Sequence, residues 1–440
     1  MKNILIIYPH WPPSNLAGVH RPRLMANYLH LYGWHPIVLT VHQNFYEETP
    51  DFSLGQTVAD HVEVLKVNAR DVRKPRLIGD IGLRGFSNLY RQALRILRMR
   101  KIDFIWIPIP SFYMALLGRL LHRKTKVPYG IDYIDPWVRD ITGRKNWRNL
   151  FSNSLAEILE PIAIKKSVLI TGVSEAYYMP ALERNFKSSE IISSTALHRS
   201  GDLARQNGRV VTHLAFPYGF DPHDHEIKLE KIELPWKGIP GCKPLVYAGA
   251  FLPNSRPFID SFFKSIRALR DEHLWDENVH LFFLGTGNYV GKTIRDYAKD
   301  SGIETIVHET RDRFPFLHIL NFLSRSFGVM VIGSTERHYT ASKVYQAVLS
   351  KRPVLALLHE ESSACRVLKE VKAGDYTVDW TPALGDQRFQ EKIRHNLSRL
   401  ISGNEPWSPD YTLLEEKYSS RALAKSLADG IDDVLRLARK

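Results

Sequence analysis

The chain has 440 residues, 44% hydrophobic and 24% charged, so it is globular and long enough for two cores rather than one. Its two cysteines, Cys242 and Cys365, lie far apart and lack a neighbouring His cluster, which argues against a disulfide framework or structural zinc and fits a reducing compartment. A net charge of +13 calls for an anionic partner, whether nucleic acid, anionic lipid or a phosphate-bearing substrate.

The first apolar run, Ile4 to Tyr8, is short and meets Pro9, Pro12 and Pro13 at once, unlike an export signal. No stretch approaches the roughly 20 apolar residues of a membrane span, so the protein is expected to be cytoplasmic, soluble or resting on the inner membrane face. Lys2 to Tyr8 predicts a buried strand, His20 to Leu31 a helix, and Pro36 to Val41 the next strand. Ile102 to Ile107, Tyr129 to Tyr133 and Val168 to Gly172 predict later strands of the same parallel sheet. The pattern restarts after a His-rich segment (Asp221 to Glu226) and a Pro/Gly stretch, which suggests a linker near residues 216–240. Strands are then expected at 245–248, 279–284, 328–332 and 353–358, with a helix at 257–270 and a last one from Ser419 to Leu437. The expected fold is α/β, with two doubly wound Rossmann-like domains: residues 1–220, residues 221–415, and a C-terminal helix, 416–440, returning to the first.

Residues 70–101 carry ten Lys or Arg against two Asp. Phe86, Leu89, Tyr90, Ala93, Leu94 and Leu97 form a helical stripe there, with arginines largely off it. Two readings stand: a helix packed on its own domain, or a surface that meets anionic lipid or a phosphate-linked acceptor.

In an open α/β sheet, ligands bind in the loops beyond the carboxyl ends of the strands. After the first strand, Gly18 precedes a helix and would let backbone N–H groups approach a phosphate. Gly249 ends a later strand, and Arg256 opens the following helix, where a cation is unfavourable unless an anion is near. Phe283 to Gly287 ends in Gly285-x-Gly287 but lacks the third glycine and distal acid of a dinucleotide fingerprint. In Ile332 to Ala356 a helix is expected from Ala341 or Ser342, with Lys343 in its first turn and Gln346 one turn on. A diphosphate on Lys343, with Gln346 on a sugar hydroxyl, would account for that pattern. Asp132 and Asp135, in YGIDYIDPW, could act as a base or bind a hydroxyl, although Asp135-Pro136 also suits a helix start.

The segments, in order, resemble glycosyltransferase family 4, GT-B fold enzymes of bacterial surface-polysaccharide pathways. The resemblance rests on PPSNLAG, IDYIDPW, LITGVSE, FPYGFD, GAFLPNSRPF, FFLGTG and ASKVYQAVLSKRPVLA, over about residues 1 to 435. It implies a nucleoside-diphosphate-sugar donor on the second domain, a glycan or lipid-linked acceptor on the first, and retaining transfer. No cofactor or metal is expected, and a nucleic-acid partner is not. Gly18, Gly249, Gly285 and Ser342 fall in the donor set, Arg256 and Lys343 would contact the diphosphate, Gln346 the ribose, and Asp135 would face the acceptor.

The family's two glutamates are replaced by His338 and Gln346, with Glu336 out of register. Ala250 and Tyr218 likewise replace a usual basic residue and a usual Asn. A nucleotide-sugar 2-epimerase and a catalytically silent, transferase-like subunit are the alternative readings.

Overall fold

The computed structural model describes residues 1–72, 79–139, 147–193, 210–336 and 343–439. The chain divides into two compact units, Met1–Gly219 with Tyr418–Lys440, and Phe220–Lys417.

The first unit holds β1 (Lys2–Ile7), β2 (Trp34–Val41), β3 (Glu63–Val67), β4 (Phe104–Ile109), β5 (Tyr129–Tyr133), β6 (Leu169–Gly172), β7 (Ile191–Ser193) and β8 (Val211–Ala215). They form one parallel sheet in the order β3-β2-β1-β4-β5-β6-β8-β7. Its central strands are apolar on both faces, as burial from both sides requires. The helices α1 (Ala17–Leu29), α2 (Ile81–Met99), α3 (Ala115–Thr125), α4 (Trp147–Ile164) and α5 (Glu175–Asn185) join the strands. Leu5, Ile7, Ile105 and Ile107 face α2 to α5. Ile4, Ile6 and Trp106 face α1 and the C-terminal helix, Ser420–Arg439, which packs along α1 through Leu423, Leu427 and Ile431. Lys2 pairs with Asp432 at 2.6 Å and fastens that helix to the first strand.

The second unit holds β9 (Lys243–Ala248), β10 (Val279–Leu284), β11 (Val307–Thr310), β12 (Gly328–Ile332), β13 (Val354–His359) and β14 (Tyr376–Trp380), in the order β11-β10-β9-β12-β13-β14. This sheet too is parallel throughout. Its main helix, Arg256–Asp271, buries Phe258, Ile259, Phe262, Phe263 and Ile266 against β9 and β10. Each buried side chain of that size stabilises by about 1.5–3 kcal/mol.

The strands expected from sequence are present with ends shifted by up to about two residues, the usual uncertainty of such boundaries. The first helix starts at Ala17, three residues before its expected start, with no side-chain cap at Leu16. Strands β3, β7, β8, β11 and β14 were not among those expected; β3 and β11 carry polar residues on their edges, so their apolar runs are short. The His-rich segment of the expected linker folds as a short helix, Pro222–Glu226, capped by Asp221, inside the second unit. The apolar stripe of α2 is spent on its own core: Leu89 and Ala93 are fully buried, and Phe86, Tyr90, Leu94 and Leu97 pack beside them. Arg91, Arg95, Arg98 and Arg100 remain exposed.

Candidate functional site

In the second unit the strand order reverses between β9 and β12. That switch point opens a crevice where two loops leave the sheet in opposite directions. The residues expected to bind a donor gather around it. Gly249 follows β9 with φ of 133°, a backbone that side chains rarely adopt. A Cβ there would also collide with Lys343, whose aliphatic stem lies directly over the glycine. Lys343 opens the helix Lys343–Leu349. Its Nζ donates to the Tyr247 hydroxyl at 2.9 Å and to the Ala250 carbonyl at 3.4 Å, and sits 4.4 Å from the Tyr247 ring centroid. Tyr247 in turn donates to the Ala250 carbonyl at 2.7 Å, and burial pushes its phenol well above the usual range. The cation thus stands above the tip of the strand with two oxygens and a ring face among its partners.

Arg256 stands at the first position of its helix, as its sequence position implied. It donates to the Val290 carbonyl and packs over Gly291, in the loop that follows β10, while its Nε is buried without a hydrogen-bond partner among the described residues. Gly285 opens that loop with φ of 72°, and its N–H bonds to the Thr310 carbonyl at 2.8 Å. The Gly249 N–H reaches the Leu284 carbonyl at 2.8 Å, and the Thr335 N–H reaches the Asn254 carbonyl at 3.2 Å. Asn254 also donates to Glu336 at 2.6 Å. The loops after β9, β10 and β12 therefore form one hydrogen-bonded rim. Gln346, one turn after Lys343, has a buried Oε1 without a partner among the described residues. Ser342 and His338 lie outside the described residues. Tyr247 and the Val290–Gly291 pair escaped the sequence reading, because neither belongs to a motif and the first is distinguished only by ending a strand.

In the first unit, Gly18 and Asp135 occupy the carboxyl-end rim. Gly18 lies in the first turn of α1, and a Cβ there would overlap the Tyr8 hydroxyl. Packing against Tyr8 is the local reason for glycine at this position. Asp135 follows β5 in a bend, so the helix start that Asp135-Pro136 suggested does not form. Burial raises its carboxyl above the usual carboxylate range, with Arg139 opposing. The buried Tyr8 and half-buried Tyr218 are within its electrostatic reach, and both phenols are raised, chiefly by burial. Asp132 takes a different part from the one its motif suggested. Both its oxygens receive Arg21, at 2.6 and 2.7 Å, and Thr171 donates to it at 2.6 Å. The Arg21 and Asp132 side chains are both 0% exposed. That leaves no oxygen for a substrate hydroxyl, so Asp132 is a structural anchor. Among the described residues, no group of three or more His, Cys, Asp or Glu could hold a metal ion.

No family model matches the chain, and no curated protein sequence does. Solved structures do match over almost its entire length. HepE from Anabaena, solved with UDP and glucose, is 13% identical, with a TM-score of 0.53 over 100% of this chain and 98% of that one. A glycosyltransferase from Rickettsia africae is 11% identical, with a TM-score of 0.55 over 99% and 96%. The fold is GT-B. A UDP-N-acetylglucosamine 2-epimerase from Listeria monocytogenes, described as putative in its own structure, shares it at 11% identity and a TM-score of 0.52, over 97% and 94%. No helix among the described residues is long and apolar enough to cross a membrane.

Proposed function

We propose that this GT-B chain is a glycosyltransferase of family 4 that moves a sugar from a nucleoside-diphosphate-sugar to a glycan or lipid-linked acceptor, with retention and without an essential metal. The second unit would hold the donor and the first the acceptor, in the synthesis of a surface polysaccharide or glycoconjugate. One observation carries the reading: the switch point of the second unit collects Lys343, Arg256 and two buried polar atoms without a partner among the described residues, beside a positive-φ glycine. Buried polar atoms are almost always satisfied, so an orphaned donor and acceptor on a cationic rim fit a polar, anionic ligand.

The chemistry follows from those positions. Transfer leaves a nucleoside diphosphate, and negative charge grows on its β-phosphate as the glycosidic bond breaks. Lys343 and Arg256 would gain by binding phosphate oxygens, because charge-assisted bonds are about twice as strong as neutral ones. Donors fixed in advance where charge develops favour the transition state over the ground state. Gln346 Oε1 would accept from a ribose hydroxyl. Asp135, raised by burial, has the direction of shift that a base for an acceptor hydroxyl needs.

Calorimetry with UDP, GDP, ADP and dTDP tests the donor site. One of them is expected to bind, and Arg256→Ala and Lys343→Ala each to cost about 1.5–3 kcal/mol, more than about tenfold in affinity. Binding that neither substitution weakens would remove the site from this rim. The likeness to the Listeria epimerase keeps a second reading alive. Incubation with nucleotide-sugar alone separates them, since an epimerase yields a new sugar without an acceptor.

A further inference from the structure

The first sheet has a switch point of its own. Its strand order reverses between β1 and β4, so the loops after those two strands part and leave a crevice at their carboxyl ends. His10 follows β1 on one side, and Ser111 follows β4 on the other. The loop after β2 adds Tyr46 and Glu48 beside His10, and Asp135 follows β5 beyond Ser111. The strands β2, β1, β4 and β5 are neighbours in that order, so the groups at their ends span about 14 Å, three inter-strand spacings.

His10 is held there in one orientation. Its Nδ1 meets Glu48 Oε1 at 3.1 Å, and its ring centroid lies 5.2 Å from that of Tyr46. Tyr46 is itself fixed, donating to the Val41 carbonyl at 3.0 Å and accepting from the Trp11 N–H at 2.9 Å. An ionised carboxylate only accepts, so Nδ1 carries the proton of the neutral imidazole and Nε2 presents a lone pair. The buried Ser14 donates to the same Glu48 oxygen rather than to Nε2, so the three residues do not form a nucleophilic relay. Nε2 has no hydrogen-bond partner among the described residues, and the side chain is 16% exposed.

The rest of the crevice also offers lone pairs. Asp80, the N-cap of α2, receives Ser111 and the Leu83 N–H on Oδ1, which leaves Oδ2 without a partner among the described residues. Nearby cations are engaged: Arg21 pairs with Asp132, Arg84 pairs with Glu47 at 3.2 Å, and Arg139 lies over the Phe112 ring at 5.2 Å. Phe112 in turn stacks on Trp137 at 6.0 Å. Lone pairs beside ring faces suit a ligand that brings hydroxyl protons and apolar C–H faces, as a sugar does. The carboxylates of Glu48, Asp80 and Asp135 would repel a phosphate.

We propose that this crevice binds the reacting end of the acceptor as an uncharged sugar, with His10 Nε2 accepting a hydrogen bond from a sugar hydroxyl and Glu48 positioning the imidazole. The proposal rests on the transferase reading for the sugar's part as acceptor and adds its chemical class.

Ligand-observed NMR with the full chain tests it, using the methyl glycosides of glucose, galactose and mannose beside the phosphorylated form of each. At least one glycoside is expected to bind, and its phosphorylated form to bind at least about tenfold more weakly. His10→Ala should weaken the glycoside by about three- to tenfold, and His10→Gln, whose Oε1 stands where Nε2 does, should recover part of the loss. Glu48→Gln should act through the ring. Gln can donate to Nδ1, so nitrogen NMR should find the His10 proton moved from Nδ1 toward Nε2, with glycoside binding reduced. Phosphorylated sugars that bind as tightly as the glycosides overturn the proposal, as does a panel that does not bind at all. So does a His10→Ala variant that binds like the wild type, or a wild-type proton on Nε2. UDP, GDP, ADP and dTDP titrated into the same variants keep the two readings apart. A chain that binds a nucleotide but no glycoside loses this proposal and keeps its donor site, and the opposite result does the reverse.

Discussion

The carboxyl-end rims of the two sheets carry similar residue types in opposite states. In the first unit, the central cation and acid are consumed by each other: Arg21 and Asp132 pair through two hydrogen bonds with no exposure, and Arg21 spends its remaining N–H groups on the Phe216 and Pro217 carbonyls at 2.9 Å. In the second unit, the partners of Arg256 and Lys343 include carbonyls and a phenol, and Arg256 Nε and Gln346 Oε1 have no hydrogen-bond partner among the described residues. A saturated network stabilises the fold but offers a ligand nothing, whereas Arg256, held through a carbonyl, can change partners at small cost. The contrast separates a rim whose central groups are saturated from one whose described groups are not, although a sequence does not display the difference.

The largest expected effect tests the saturated side. Asp132→Ala leaves Arg21 charged, buried and unpaired, and should cost about 3–5 kcal/mol in urea unfolding. Lys343→Ala should change stability by less than about 1 kcal/mol, because the side chain is only half-buried. Comparable losses from the two substitutions would erase the contrast. Arg21→Met combined with Asp132→Leu should recover most of the stability, since a buried pair exchanged for apolar groups of similar volume is often close to neutral.

The sequence makes the continuously apolar strands, the two-sheet plan and the helix-start positions of Arg256 and Lys343 legible for a simple reason. Continuous apolar runs and cations at helix starts are local patterns, and both can be read without knowing what lies across the sheet. Strand order is not local. The switch point between β9 and β12 becomes visible only once β10 and β11 are placed on the other side of β9, and β11 is a strand of four residues with a polar edge. The role of Asp132 was unreadable for the same reason. Its partner Arg21 lies 111 residues away, and nothing in YGIDYIDPW distinguishes an acid that is saturated from Asp135, three positions on, for which no hydrogen bond is described. Gly18 shows the converse, a position expected from a phosphate argument whose immediate constraint is the Tyr8 hydroxyl.

A smaller effect probes how the first rim holds its opening loop. Burial acts to raise the Glu48 carboxyl, but hydrogen bonds from His10, at 3.1 Å, and Ser14 prevail and hold it down at about 2 against an ordinary 4.5. A depressed folded pKa means stability that is present above about pH 4.5 and lost as pH falls toward 2. Glu48→Gln should therefore destabilise by about 1 kcal/mol near neutrality, a value reduced for partial solvent exposure. The gap between variant and wild type should close in urea titrations run below about pH 4.5. A gap independent of pH would mean that the loop is held by shape rather than by the carboxylate.

Asp135 gives the smallest and sharpest test, because burial works against its charge. Its folded pKa is raised by burial, so the ionised form destabilises the native state, and the penalty grows as pH rises through the ordinary carboxylate range. Asp135→Asn removes the charge and keeps the shape. It should raise stability by about 0.5–1 kcal/mol at neutral pH, a gain that vanishes in acid, where the wild-type carboxyl is itself neutral. If Asp135 also receives the acceptor hydroxyl, the same substitution should abolish sugar transfer while leaving nucleotide affinity at the second unit unchanged. Stability gained together with transfer lost is the signature of a residue kept against the interest of the fold. Stability gained with transfer intact would make Asp135 a mere burden, and would extend the architectural character of the first rim to this acid as well.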